Sequence, residues 1–525
     1  MEKDRLILRK NIFSATMLVI VAILLSKISG LARDQIMAGY FGISYETDAF
    51  TWAYFIPNLF RILFAESLIV AAFIPIYSSY LKRNEKDELK VFVNSVINIF
   101  AAAFFIISVA IFVFSPEIGI LLSKVANYQL DVAKFTFMNR IMIFSLITLS
   151  LSGLATGVLN SHNIFTVPSI APFVMNIVTI VFVLLFYSKL GIASMAVGVI
   201  VGSVFHLAIQ IPQFRACGIR YKFKIDLKHK AVKEIFSLMF PILLSLGAVQ
   251  LNNSIDNFFA LNLGGGNTTA LTLSWRVANL PLGVFSVAIV TVLYPLISRQ
   301  AAGNDVGGMK KSFSLGVREI GYVMVPATAG LVILSYPIIK VLFEHYMFSS
   351  SDTERVAYIL VFHSLGLLSF GLLMILNRVF YAFKDVKTPL KVALVSILVN
   401  FVLDWILIKF MDVGGLALST SLVATCNVFI LIAILRKKVG SLGGKRIIVS
   451  YSKIFLASAV MSAAVYFLWS RVSCFAYQSL PALIFSLLAI IILGAGIYIL
   501  CTVWFRMEEV KFVADLLKNL RKKFT

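Results

Sequence analysis

Apolar residues run through almost the whole chain in stretches close to the ~20 residues an α-helix needs to cross a bilayer. Short polar or charged segments separate them. Fourteen spans follow from this pattern: 11–38, 49–81, 91–114, 134–159, 165–188, 192–214, 233–262, 268–299, 313–339, 356–383, 388–410, 414–436, 449–470 and 482–505. Several exceed the minimum length and contain Pro or Gly, which predicts tilted or broken helices. Runs such as Ala482–Leu500, "ALIFSLLAIIILGAGIYIL", are apolar on every face. They lack the alternation of a barrel strand. The expected fold is an all-α polytopic membrane protein of about 14 transmembrane helices.

Composition agrees. Of 525 residues, 60% are hydrophobic and only 14% charged, and the mean hydropathy is +0.93. Soluble domains carry roughly 25% charge. No polar stretch is long enough for a separate soluble domain. The four cysteines, Cys217, Cys426, Cys474 and Cys501, form no CxxC pair, so neither a disulfide framework nor a zinc site is expected. Lys3, Arg5, Arg9 and Lys10 precede the first apolar run like the start of a signal peptide. No small-residue cleavage site follows, so an uncleaved first helix is expected.

The net charge of +22 is where a nucleic-acid binder would be sought, but the placement of the charges gives another reason for it. With the N-terminus in the cytoplasm, 34 of the 47 lysines and arginines fall on cytoplasmic segments and seven on the opposite side. That asymmetry is the positive-inside pattern, and it adds contact with anionic lipid. It predicts cytoplasmic N- and C-termini and leaves no charge for nucleic acid to explain.

The two halves echo each other at an offset of about 220 residues, the kind of repeat that decides an architecture. Ile12–Ser14 returns at Ile235–Ser237, Asp34 as Asp256, Phe41–Gly42 as Leu263–Gly264, and Pro75 and Ser78 as Pro295 and Ser298. Asn163–Asn176 is echoed by Lys384–Asn400, and Gly191–Phe205 by Gly414–Phe429. Six helices per repeat is an even number, so the repeats are parallel. The expected organisation is an N-lobe at 1–225 with helices 1–6, a C-lobe at 226–440 with helices 7–12, and helices 13–14 with a basic tail at 441–525. Transporters built from parallel repeats bind substrate between the halves and expose it alternately.

With the cations near span ends counted on the adjoining segments, six remain inside the spans: Lys27, Arg33, Arg61, Arg140, Arg276 and Arg378. An ionised group at the bilayer centre costs from ~2.5 to over 10 kcal/mol, so it faces water or a partner. Arg140 and Arg378 lie near helix ends and are expected to snorkel. Lys27 lies ~22 Å above the start of its span and Arg61 ~17 Å below the start of its own. Lys27 and Asp34, seven residues apart, share a face. With Asp48 and Glu66 as acidic companions, Lys27, Arg33, Arg61 and Arg276 are expected to meet at one cavity with a positive surplus. The arginine fork binds phosphate bidentately, so a phosphorylated substrate fits. The competing reading has Arg33 paired internally with Asp34 or Asp48, pinning helices.

A second constellation is rich in oxygen. Asn400 and Asp404 share a helix face at i,i+4, and Asp256 and Thr420 come from neighbouring helices. Two carboxylates, an amide and a hydroxyl suit a coupling cation, Na⁺ or H⁺. The alternative is interhelical hydrogen bonding. His206 and His363 are expected to be hydrogen-bonded packing residues. No Walker A loop, HExxH or nucleophile elbow occurs, so the chain is not expected to be an enzyme and needs no further cofactor.

At "SKISGLARDQIMAGYFGISYETDAF" and "IPNLFRILFAESLIVAAFIPIYSSY" the chain resembles the MurJ (MviN) lipid II flippases of the multidrug/oligosaccharidyl-lipid/polysaccharide exporter superfamily. The resemblance continues through "VLNSHNIFTVPSIAPFVMNI", "WRVANLPLGVFSVAI" and "FYAFKDVKTP" and so covers essentially the whole chain. It implies helices 13 and 14 forming a groove for a polyprenyl tail. It implies export of the undecaprenyl-pyrophosphate-linked peptidoglycan precursor, lipid II, to the outer leaflet of a bacterial inner membrane, by a monomer in contact with membrane lipids. The basic positions it implies are Lys27, Arg33, Arg61 and Arg276, with Asp34, Asp48 and Glu66 beside them. Relatives commonly carry Arg where this chain has Lys27, which keeps the charge and loses the fork. The nearest rival on the same fold exports another polyprenyl-linked oligosaccharide or drugs. A cationic-drug exporter would line its cavity with carboxylates, which the basic surplus opposes.

Overall fold

The structure is a computed structural model that describes residues 2–63, 69, 72–125 and 130–510; the side chains of 2–17, 20, 125, 240–249 and 251–253 are outside the description. Among the described residues every regular element is helical.

The first repeat contains α1 (Glu2–Phe41), α2 (Tyr45–Phe60), α3 (Ile74–Lys82), α4 (Lys86–Val125), α5 (Val132–Met142), α6 (Ser145–Ser161), α7 (Thr166–Leu190), α8 (Ala193–Ala208) and α9 (Ile211–Ala216). The second contains α10 (Lys230–Asn262), α11 (Asn267–Pro281), α12 (Val287–Ala302), α13 (Val306–Ile333), α14 (Ser335–Phe343), α15 (Ser350–Leu365), α16 (Leu367–Ala382), α17 (Lys387–Met411) and α18 (Val413–Val439). Beyond it lie α19 (Gly444–Ala476) and α20 (Leu480–Trp504).

Among the described residues the fourteen expected spans fall largely on helix, and several of the long ones that contain Pro or Gly are broken, as their composition predicted. Span 49–81 is α2 and α3 with a π-helical stretch at 61–63, just after Pro57. Span 268–299 has the same plan, with a π-helical turn at Leu282–Ser286 immediately after Pro281. Proline removes a donor from the α ladder and clashes with the preceding turn, and a wider turn relieves both. Span 356–383 bends by 42° between α15 and α16. By length and apolarity alone, ten helical spans among the described residues can cross a membrane, or eleven with the bent pair taken as one. The three expected spans beyond these, 11–38, 49–81 and 233–262, each include residues outside the description.

Backbone conformation recurs at the offset that the sequence matches suggested. Residues with positive φ recur at an offset of about 220: Asn84 and Asn304, Asn163 and Lys384, Gly191 and Asp412, Gly218 and Gly440. Gly191 and Asp412 share nearly identical angles, φ 53° with ψ −141° and φ 53° with ψ −138°. A side chain rarely adopts that conformation, so Asp412 is held there by the turn its repeat inherited. In this frame Asn400 corresponds to Thr179, three residues beyond the Asn176 that string matching suggested.

The chain divides into two units. The first comprises 1–254 with the short segments Gly264–Thr269 and His345–Phe348; the second holds the remainder, including α19 and α20. Apolar burial adds little between helices in lipid, so close backbone approach and hydrogen bonds set the packing. In the first unit, Gly198 and Gly202 bring α8 onto α7, where a Cβ at Gly202 would sit 2.8 Å from the Met175 carbonyl oxygen. Thr148 and Ser203 hydrogen-bond at 2.7 Å, and their repeat counterparts Ser369 and Thr425 do so at 2.8 Å in the second unit. There α19 and α20 pack on α13 through Tyr322, Ile454, Met461, Leu487 and Tyr498.

Candidate functional site

In the first unit, α1 presents Arg33 and Asp34 to α7. Both are buried, at 8% and 2% exposure. Arg33 donates from Nη2 to Asp34 Oδ1 at 3.0 Å, from Nε to the same oxygen at 3.3 Å, and from Nη1 to Asn176 Oδ1 at 3.3 Å. Asn176 is fixed in turn, donating to Ser29 Oγ at 3.1 Å and to the Ser26 carbonyl at 3.3 Å. Gly30 makes room for it, since a Cβ there would touch the Asn176 amide at 3.4 Å. Arg33 is thus paired as the competing reading expected, with Asp34, and Asn176 orients it from a second helix. Sequence reasoning met Asn176 only as part of the repeat; its signal was an amide in an otherwise apolar span.

Lys27 is exposed on α1. Arg61 is half-buried in the π-helical stretch after α2, donating from Nη2 and Nε to Asn58 Oδ1 at 2.9 and 3.1 Å. Glu66 lies outside the described residues. Arg276 is half-buried on α11 and belongs to the second unit.

Asp48 has a definite partner set. It is fully buried in the first turn of α2, after the capping box formed by Ser44 and Thr47. Its Oδ2 accepts from the Gly266 amide at 2.7 Å, and its Oδ1 from the Thr269 amide at 2.9 Å and the Thr269 hydroxyl at 2.8 Å. These amides belong to the short segment Gly264–Thr269, so Asp48 satisfies donors that a helix start leaves open. Gly266 has φ +83°, and a Cβ there would collide with Ile43. Glu46, nearby in sequence, pairs with Lys134.

The oxygen cluster lies wholly in the second unit. Asp256 of α10 and Asn400 and Asp404 of α17 are 7%, 0% and 0% exposed. Asn400 Nδ2 donates to Asp256 Oδ1 at 2.6 Å and to Asp404 Oδ2 at 2.7 Å. Thr420 Oγ1 on α18 donates to Asp256 Oδ2 at 2.7 Å. Asn400 Oδ1 and Asp404 Oδ1 are buried without a hydrogen-bond partner. All four residues singled out from the sequence therefore come together. Ser419, which donates to the Asn400 carbonyl at 3.3 Å, is the neighbour that went unnoticed.

The two histidines and the two arginines near helix ends make local contacts. His206 bonds Ser152 at 2.7 Å, and His363 bonds Ser274 at 2.7 Å. Arg140 lies over the Phe112 ring at 4.9 Å and Arg378 over Tyr294 at 5.1 Å, as cations do on aromatic faces.

The family model described as "Lipid II flippase MurJ" matches residues 37–486. A probable lipid II flippase MurJ of Haemophilus influenzae is 29% identical over 491 residues, covering 90% of this chain and 96% of its own length. The lipid II flippase MurJ of Burkholderia cenocepacia is 30% identical over 438 residues, covering 82% and 84%. A solved lipid II flippase MurJ in an inward closed conformation superposes with a TM-score of 0.78 at 28% identity, covering 93% of this chain and 99% of that one. An inward-facing multidrug resistance MATE transporter of the MOP superfamily shares the fold, with a TM-score of 0.65 at 14% identity over 81% of this chain and 98% of its own. The chain belongs to the MurJ lipid II flippase family.

Proposed function

We propose that this chain carries lipid II, the undecaprenyl-pyrophosphate-linked peptidoglycan precursor, from the inner to the outer leaflet of a bacterial cytoplasmic membrane. The observation that carries this reading is the family match over 37–486, which spans both repeats. The substrate crosses unchanged, so the task is binding and release rather than bond chemistry. Arg33, Arg61, Arg276 and Lys27 handle the pyrophosphate. Arg33 is held ready by Asp34 and Asn176, and an arriving pyrophosphate competes with Asp34 for the guanidinium. Asp48 keeps the Gly264–Thr269 segment in place and acts as a positioning residue, and Glu66 is an acidic companion. The polyprenyl tail stays in the bilayer against α19 and α20. Cytoplasmic termini are supported by the 34-to-7 distribution of lysine and arginine. The same reading takes a single chain as the transporting unit.

Coupling to a monovalent cation, Na⁺ or H⁺, is the second part of the reading. The donor set fits a hard cation: two buried carboxylates, no basic partner among the described residues, and two buried oxygens, Asn400 Oδ1 and Asp404 Oδ1, with nothing to accept from. Asp256, Asn400, Asp404 and Thr420 would hold the ion, which would supply the positive charge that the two carboxylates lack.

Single Arg33→Ala, Arg61→Ala and Arg276→Ala variants, reconstituted in vesicles with defined lipid II, test the transport reading. Each is expected to lose at least about tenfold in flipping, the effect of losing about 1.4 kcal/mol of binding, while folded protein is recovered. Normal flipping by all three would overturn the assigned roles.

A further inference from the structure

Between α9 and α10 the chain runs without regular structure from Gly218 to His229, and basic and apolar residues alternate along it: Arg220, Tyr221, Lys222, Phe223, Lys224, Ile225. The backbone of this strap is clamped onto α4. Asn94 accepts the Lys222 amide at 2.8 Å and donates to the Arg220 carbonyl at 3.3 Å. Asn98 donates to the carbonyls of Lys222 and Lys224, both at 3.1 Å, and Ser95 accepts the Asp226 amide at 3.1 Å. Asn94, Ser95 and Asn98 are all buried. With its backbone satisfied from behind, the strap buries Ile219 and His229, returns the Tyr221 hydroxyl to Asn98 Oδ1 at 2.8 Å, and turns most of its other side chains outward. Tyr221, Phe223 and Leu227 are 62%, 81% and 61% exposed, and Arg220, Lys222, Lys224 and Lys228 are exposed beside them. The acid in the strap, Asp226, is turned back on the chain, accepting the amides of Lys228 at 2.9 Å and His229 at 3.1 Å.

Next to the strap, the first unit contains a cavity of about 300 Å³. Ile97, Leu151, Leu207 and Phe214 line it, and the polar members of the lining are Arg215 and Tyr221. An apolar hollow with a guanidinium and a phenol, continuing into a row of bases and aromatic rings, matches a molecule with a hydrocarbon chain and an anionic head. Phe223, so exposed, suits the headgroup layer better than water. An acidic protein would satisfy the bases but not the cavity.

We propose that this face of the first unit is a binding site for an anionic glycerophospholipid, with an acyl chain in the cavity and the phosphate on Arg215, Lys222 and Lys224. The lipid belongs to the leaflet that the charge distribution makes cytoplasmic. It anchors the connection between the two repeats and is not the transported substrate. The site is independent of the pyrophosphate and cation roles above.

The test is lipid retention by the full chain in detergent, read by native mass spectrometry after separate incubations with phosphatidylglycerol, phosphatidylcholine and undecaprenyl pyrophosphate. Phosphatidylglycerol is expected to be retained in preference. The triple variant Arg215→Gln/Lys222→Gln/Lys224→Gln is expected to lose that preference, by about fivefold for each charge removed. Lys222→Arg/Lys224→Arg should keep it, and Ile211→Trp, at the cavity, should weaken both lipids alike. Equal retention of the two lipids by the unaltered chain, or an unchanged preference in the triple variant, overturns the proposal. So does loss of undecaprenyl pyrophosphate in the triple variant while phosphatidylglycerol is kept, which would give the site to the substrate. No flipping is measured, so this result and the transport assay can fail separately.

Discussion

Asp34 and Asp256 stand at matching positions of the two repeats, on α1 and α10, and their surroundings differ in one respect that matters. Asp34 follows Arg33, whose guanidinium lies 3.0 Å from its carboxylate. Asp256 follows Ile255, and among the described residues it meets no cation but Asn400, Thr420 and, through Asn400, a second carboxylate at Asp404. Elsewhere the repeats have kept matching details, including the positive-φ turns and the Thr148–Ser203 and Ser369–Thr425 pairs. Packing details thus match across the offset while the charge balance differs. The first repeat carries its own cation. In the second, the described residues place no cation on the paired carboxylates, which is the basis of the coupling proposed above.

Removing the resident cation should have the largest effect. Arg33→Met leaves Asp34 buried without the guanidinium, and breaking such a pair from one side costs about 3–5 kcal/mol. Asp404→Asn in the second unit removes one of two like charges, so its cost should stay within about 1 kcal/mol or become a gain. Thermal unfolding of the two variants in detergent makes the comparison. Equal losses would mean that the repeats are balanced alike. Asp404→Asn should also remove any dependence of transport on Na⁺ or pH.

The sharper experiment moves the cation across. Ile255 occupies the position of Arg33 and is half-buried, so Ile255→Arg gives the second repeat what the first already has. Coupling between ligands is typically worth about 1–3 kcal/mol, or about 5–150-fold. The stimulation of lipid II flipping by a cation gradient, if the cluster is its seat, should fall from that range to none in the variant. Persistence of full stimulation would place the coupling elsewhere.

Much of this contrast could be read from the sequence. Period and length gave the helices, and offset matching gave the repeat, because both signals are summed over many residues. Asp256, Asn400, Asp404 and Thr420 were found together because polar oxygens in apolar spans stand out singly. What escaped were relations that need geometry. Nothing in the string tells that Asp48 accepts the amides of Gly266 and Thr269, more than two hundred residues away. Nor does it tell that Asn176 bonds Arg33, or that the breaks expected in the long proline-containing spans take the form of π-helical turns after prolines 57 and 281. The buried pair of Arg318 with Glu509, which the exposed Glu508 joins, links α13 to the chain after α20 and was also missed, since those acids lie outside any apolar span.

The smallest effect concerns a turn outside the membrane-spanning helices. Asp385, between α16 and α17, corresponds to Ile164 in the first repeat. It accepts from Lys438 at 3.0 Å, from the Thr388 amide at 3.1 Å and from the Thr388 hydroxyl at 3.0 Å. Partial burial pushes its pKa up, but the hydrogen bonds from Lys438 and Thr388 outweigh it and hold the carboxyl below its ordinary value. A carboxylate depressed on folding stabilises the folded state above its unfolded pKa, about 3.9 for Asp, and that contribution fades as pH falls through the folded value. The pair is near the surface, so its worth is at most about 1 kcal/mol. Amide exchange at the start of α17 should therefore quicken as pH is lowered from 5 to 3, after correction for intrinsic rates. Asp385→Asn should show the faster exchange already at pH 5, with no further acid response from this turn. The turn at Ile164, which has no carboxylate at that position, should not respond at all. Equal acid responses in the two turns would show that Lys438 and Thr388 add nothing to the second repeat that the first lacks.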